Sequence, residues 1–118
     1  MSVLTLAQAS IIVDAALKKG RNSNLAPLAV AKAWGALGMG FGSRTLASRA
    51  AKTPQFFTML AAASGGRIVT NPGGVLIRDN NGNLVGACGI SGDTSDKDEM
   101  CAVAGIEAAG LKAEPGVD

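Results

Sequence analysis

"NPGGVLIRDNNGNLVGACGISGDTSDKDEMCAVAGIEAAGL", residues 71–111, decides the fold of this 118-residue chain. Two short runs rich in β-branched residues, VLIRD and LVGACGIS, are separated by NNGN and preceded by NPGG, both strong turn signals. A third run, RIVT at 67–70, lies just upstream, so the period-2 pattern predicts three antiparallel strands in a meander. The period then changes. Ser95 stands at capping-box distance from Asp98 and opens a helix whose apolar face (Met100, Val103, Ala104 and Ile106 or Leu111) is expected to lie on the sheet. The tail, residues 111–118, reads as frayed.

Upstream the pattern is helical. Thr5 and Gln8 are spaced as a capping box, Leu6, Ala9, Ile12, Val13, Ala16 and Leu17 recur at helical intervals, and Lys18, Lys19 and Gly20 close the segment. LAPLAV, residues 25–30, reads as a short strand interrupted by Pro27, and AKAWGAL then resumes helical composition. Ser43 is placed to cap a further helix. Thr53 followed by Pro54 sets a cap and an N1 proline for the next, which Gly65 and Gly66 end. Helices grouped around an antiparallel sheet define an α+β fold, and residues 1–118 are expected to form one domain.

Composition narrows the function classes. Net charge is +2, with no basic run longer than Lys18-Lys19, which argues against nucleic acid or an acidic membrane as partner. No segment reaches the ~20 apolar residues of a membrane span, and the expected location is cytoplasmic. Histidine is absent, which removes the commonest general base, metal ligand and haem ligand together. Cys88 and Cys101 are too few for a structural zinc site and read as small buried apolar residues; no metal site is expected.

Glycines at 82, 86, 89 and 92 punctuate the last predicted strand and imply a close approach, by a ligand or by a crossing helix; the helix is the favoured reading. SGDTSDKDE offers free amides at a helix start, but Asp93, Asp96, Asp98 and Glu99 complement the helix dipole and would repel a phosphate. The spacing of these acids is not that of an EF-hand loop. GMGFG at 38–42 follows no strand and lacks the third glycine of a dinucleotide fingerprint. Spacing selects no Ser–Lys pair from Ser43, Ser48, Ser64 and Lys52.

The run PGGVLIRDNNGNLVGACGISGDTSDKDEMCAVAGIEAAGL resembles the GlcG/HbpS-like family, as do AKAW, KTPQFFTMLAAASGGRIV and the opening LTLAQASIIVDAALKKG. The resemblance implies a profilin-like antiparallel sheet of five strands with helices on both faces, assembly into dimers or larger rings, and haem or another tetrapyrrole as ligand. One departure stands out: relatives place a turn and a second strand between the counterparts of PLAV and AKAW, whereas here Val30 joins Ala31 directly. Shortening that hairpin leaves residues 84–91 as an open strand edge. Either the 25–30 stub or a second copy of the chain, in a homo-oligomer, is expected to cover it.

The expected function is a small ligand-binding or accessory protein. Its pocket is placed where Asn71, Gly73, Gly74, Gly89 and Gly92 meet the start of the last helix, with Asp98 and Glu99 orienting the loop. Two alternatives stand beside it. One is an enzyme acting on a small organic acid with Asp98 or Glu99 as base; the other is a shortened relative that has lost its ligand site.

Overall fold

The structure, a computed structural model, describes the backbone of residues 26–118 and the side chains of residues 28–118. The helix expected from Thr5 to Gly20 lies outside the described residues. The chain runs α1 (Ala26–Met39), α2 (Ser43–Lys52), α3 (Pro54–Ala63), β1 (Gly74–Arg78), β2 (Leu84–Gly89), α4 (Ser95–Ala108) and β3 (Lys112–Glu114). Among the described residues, four helices and a three-stranded antiparallel sheet, in the order β2-β1-β3, make an α+β fold.

The hairpin forms as its turn residues dictate. Asp79 Oδ1 accepts from the amides of Asn81 and Asn83, 2.9 Å each, and Gly82 takes φ 84°, a left-handed conformation that a side chain disfavours. A bulge between Ile77 and Arg78 separates this turn from the regular register Gly74↔Gly89 to Ile77↔Gly86. β1 is central and buried on both faces. Val75 and Ile77 join Ala102 and Ile106 of α4 in one core cluster, with Val85, Cys88 and Ile90 packed against it. Gly74, on the opposite face, meets α1 and α2. The sheet is thus covered by α4 on one side and by α1 and α2 on the other. Burying side chains such as Val75, Ile77 and Ile106 contributes about 1.5–3 kcal/mol each.

Several local expectations are corrected. Residues 26–30 do not form a strand stub; they are the opening of α1. Pro27 falls in the first turn, where its missing N–H interrupts no helical bond, and Leu28, Ala29, Ala31, Lys32 and Ala33 are helix formers. This stub therefore cannot pair with β2 as a strand. The RIVT run is not paired in the sheet either: Ile68 is buried against α1, where a Cβ on Gly35 would lie 3.0 Å from Ile68 Cγ1.

The caps shift by one residue. Gly42, not Ser43, is the N-cap of α2, and Thr94, not Ser95, caps α4, its Oγ1 accepting from the Lys97 amide at 3.4 Å. Thr53 does precede an N1 proline, but its hydroxyl donates back to Arg49 O at 3.0 Å. The face of α4 on the sheet is Asp98, Ala102, Gly105 and Ile106, whereas Met100 is 68% exposed.

The tail is not frayed. Residues 112–114 pair with β1, and Arg78 Nε donates to Glu114 Oε2 at 2.9 Å. Pro115 O accepts from the Arg44 amide, and Thr45 Oγ1 both donates to Val117 O and accepts from the Val117 amide. These bonds strap the tail over the start of α2. The missing side chain at Gly42 permits the approach, since a Cβ there would lie 2.1 Å from Pro115 O.

Candidate functional site

The most deeply buried ion pair among the described residues centres on Lys32, the sole charged residue of α1. Its Nζ donates to Asp98 Oδ2 and to Ile90 O, 3.1 Å each, and both side chains of the pair are 3% exposed. Asp98 Oδ1 accepts from the Asp93 amide at 3.0 Å. Paired and hydrogen-bonded in this way, the two charges tie α1, the end of β2 and the start of α4 into one unit. Sequence reasoning missed Lys32. The available signal was a lone cation inside an apolar helical run, which needs a partner if the run is buried.

The glycines selected from the sequence gather around this cluster. A Cβ on Gly89 would lie 2.0 Å from Ala29 O, one on Gly74 2.3 Å from Lys32 O and 2.2 Å from Ser43 Oγ, and one on Gly73 2.6 Å from Ile90 O and 3.0 Å from Lys32 Nζ. Helix α1 is therefore what approaches Gly74 and Gly89, as the crossing-helix reading expected for Gly89, whereas Gly82 has nothing within 4 Å and Gly86 meets only Ile77 of the neighbouring strand. Ser43 Oγ is buried beside Gly74 and has no hydrogen-bond partner. Gly92 and Asn71 are exposed, and Asn71 lies apart from Lys32 on the rim of a cleft described below.

Both carboxylates considered as bases are engaged. Asp98 is held by Lys32, and Glu99 by Arg44, whose Nε donates to Glu99 Oε1 and Oε2 at 3.2 and 2.9 Å. Arg44 also pairs with Asp96 and, at 3.1 Å, with Asp118. Hydrogen bonds donated to Glu99, then to Asp96 and Asp118, hold the guanidinium's pKa above its ordinary value. Asp93, Asp96, Asp98 and Glu99 are thus divided between capping, one buried cation and one half-buried cation. Among the described residues no group of three or more His, Cys, Asp and Glu is arranged to hold a metal.

Cys88 points into the core on α4's side of the sheet, where burial pushes its thiol up to about 11. It is a packing residue rather than a nucleophile. Cys88 and Cys101 form no disulfide with each other.

Two open clefts flank α1 and α3. One, of about 490 Å³, runs between α2, α3 and the 68–71 segment, lined by Ala50, Pro54, Phe57, Thr58, Ala61, Ile68, Val69, Thr70 and Asn71. The other, of about 420 Å³, is lined by Val30, Ala31, Trp34, Gly66 and Arg67. Both volumes are in the range of small-molecule sites. No helix among the described residues is long and apolar enough to cross a membrane.

A sheet held between α4 and the α1–α2 pair, with its glycines closed on a crossing helix, places the chain in a recognisable class. Residues 22–107 match the family model described as "Haem degrading protein HbpS-like", and the chain belongs to that family. Among solved structures it is similar to PduOC, crystallised in complex with haem. That match has a TM-score of 0.80 at 21% identity and covers 93% of this chain and 97% of the other. It shows the α+β fold. No curated protein matches.

Proposed function

We propose that this HbpS-like protein binds a tetrapyrrole in the cleft between α2, α3 and the 68–71 segment. The observation that carries the reading is the cleft itself: Pro54, Phe57, Ala61 and Ile68 offer apolar walls to a flat ring, and Thr58, Thr70 and Asn71 supply polar edges. Family membership and the likeness to PduOC with its haem support the same ligand class.

Fit divides between ring and iron. The volume and the apolar lining suit the macrocycle, whereas the lining includes no Cys or Met and the chain has no His, so the cleft supplies no strong axial ligand. Binding in this reading rests on burial of the ring faces. Titrating the protein with haem at micromolar concentration tests it: a saturable Soret shift is expected, reduced at least tenfold in affinity by Thr58→Trp, which fills the cleft from an exposed position. An unchanged Soret band would remove the reading.

The free edge of β2 supports a second element of the proposal. β2 pairs with β1 alone among the described strands, and all six of its residues are half-buried. We propose that a second copy of the chain covers this edge. Light scattering after gel filtration is expected to give a dimer or larger species at micromolar concentration; a clean monomer contradicts it.

A further inference from the structure

The groove between α1 and the segment after α3 is independent of the tetrapyrrole cleft and shares no lining residue with it. Its construction starts at Gly35. With no side chain there, the chain after α3 lies against α1, Val69 O standing 3.4 Å from where a Cβ would be. Ile68 turns into the core at 7% exposure, so its neighbour Arg67 turns outward, at the mouth of the groove that Val30, Ala31 and Trp34 line. Gly66, at φ 77°, contributes bare backbone and leaves the space beside it open.

Two features stand out among the described residues. Val30 and Trp34, at i and i+4, line the groove with exposures of 66% and 43%, and Leu37, at i+7 and 49%, continues the apolar stripe beyond it. Arg67 makes no ion pair among the described residues, in contrast to Arg44 and Arg78. A groove lined by an indole and by a guanidinium with no ion pair among the described residues is suited to a flat, conjugated ring bearing a carboxylate: the ring stacks on the indole and the fork of Arg67 takes the carboxylate in two parallel hydrogen bonds.

We propose that the groove formed by Val30, Ala31, Trp34, Gly66 and Arg67 is a binding site for an aromatic carboxylate. Trp34 is the only tryptophan of the chain, so its fluorescence reports this groove alone. The probe is 2-naphthoate, with the uncharged isostere 2-naphthamide as control, followed by Trp34 emission and in parallel by calorimetry. Saturable quenching by 2-naphthoate is expected, with 2-naphthamide at least tenfold weaker. Arg67→Gln is expected to lower naphthoate affinity about tenfold, leaving naphthamide unchanged, and Arg67→Lys to restore part of the loss. Arg67 is exposed, so the variants are expected to keep wild-type circular dichroism. Equal affinity for acid and amide, no binding of either, or calorimetric binding without a change in Trp34 emission would each overturn the assignment. The haem titration is assigned to the other cleft by the Thr58→Trp variant, and Trp34 emission reads this groove, so either result stands without the other.

Discussion

The two cations that hold the start of α4 contrast in their setting. Lys32 approaches from α1 and meets Asp98 where both are 3% exposed, while Arg44 approaches from α2 and meets Glu99, Asp96 and Asp118, the last two 77% and 85% exposed. Arg44 has more partners, yet burial decides which cluster matters. Charges in water gain little from pairing, whereas a buried charge left alone carries a desolvation penalty of several kcal/mol. Lys32 is thus the structural junction, and Arg44 a surface tie.

Breaking the buried side should give the largest effect. Lys32→Met leaves Asp98 buried without its cation and is expected to cost about 3–5 kcal/mol in denaturant unfolding. Adding Asp98→Asn should recover much of that loss, and the double-mutant cycle should return a strong coupling. Near-additive behaviour, or a loss of under about 1 kcal/mol for Lys32→Met, would remove the distinction between the two clusters.

Cys88 reports the dryness of the core on α4's side of the sheet. Its pKa near 11, against the ordinary 9.0, is a consequence of burial, and it lowers the thiolate fraction at pH 8 roughly a hundredfold. In a Cys101→Ser background, alkylation of Cys88 should accelerate about tenfold per pH unit through pH 9–10, flattening only near 11. The linkage has the same sign: the raised pKa means that stability is retained below pH 9 and declines as pH rises toward 11. A plateau in alkylation rate at pH 9 would show the region to be wet.

Next in size is the packing of α1 on the sheet. Gly89→Ala would put a methyl 2.0 Å from Ala29 O, a backbone atom without a rotamer to change, so about 1–3 kcal/mol or more should be lost. Gly82→Ala, in open space but at φ 84°, should cost less, about 1 kcal/mol. Equal effects at the two positions would mean that the close approach of α1 is not needed.

These positions also show what could be read from the sequence. The β1–β2 hairpin was legible because NNGN and the Gly-rich turns carry their own conformational demand, and the crossing helix was legible from Gly89. The strand read into LAPLAV failed because a short apolar run fits a buried helix as well as a strand, and Pro27 is tolerated in a first helical turn. The tail was misread as frayed because β3 is three residues long and takes its order from β1 and from Thr45, both distant in sequence. The Lys32–Asp98 pair spans 66 residues and depends on two elements meeting, which no local pattern encodes. Of the expected site residues, Gly73, Gly74, Gly89 and Asp98 come together around Lys32, whereas Asn71 belongs to the cleft.

The smallest effect belongs to the exposed side. Arg44→Ala removes three ion pairs, but two of its partners are already solvated, so the expected loss is below about 1 kcal/mol. Salt then separates the clusters. Raising ionic strength from about 0.1 to 1 M shortens the screening length from roughly 10 to 3 Å, which should erase most of the difference between wild type and Arg44→Ala and leave the Lys32→Met deficit intact. A deficit for Arg44→Ala that persists at 1 M salt would mean that Glu99, 15% exposed, is dry enough to need its cation. The surface tie would then belong with the buried junction rather than opposite it.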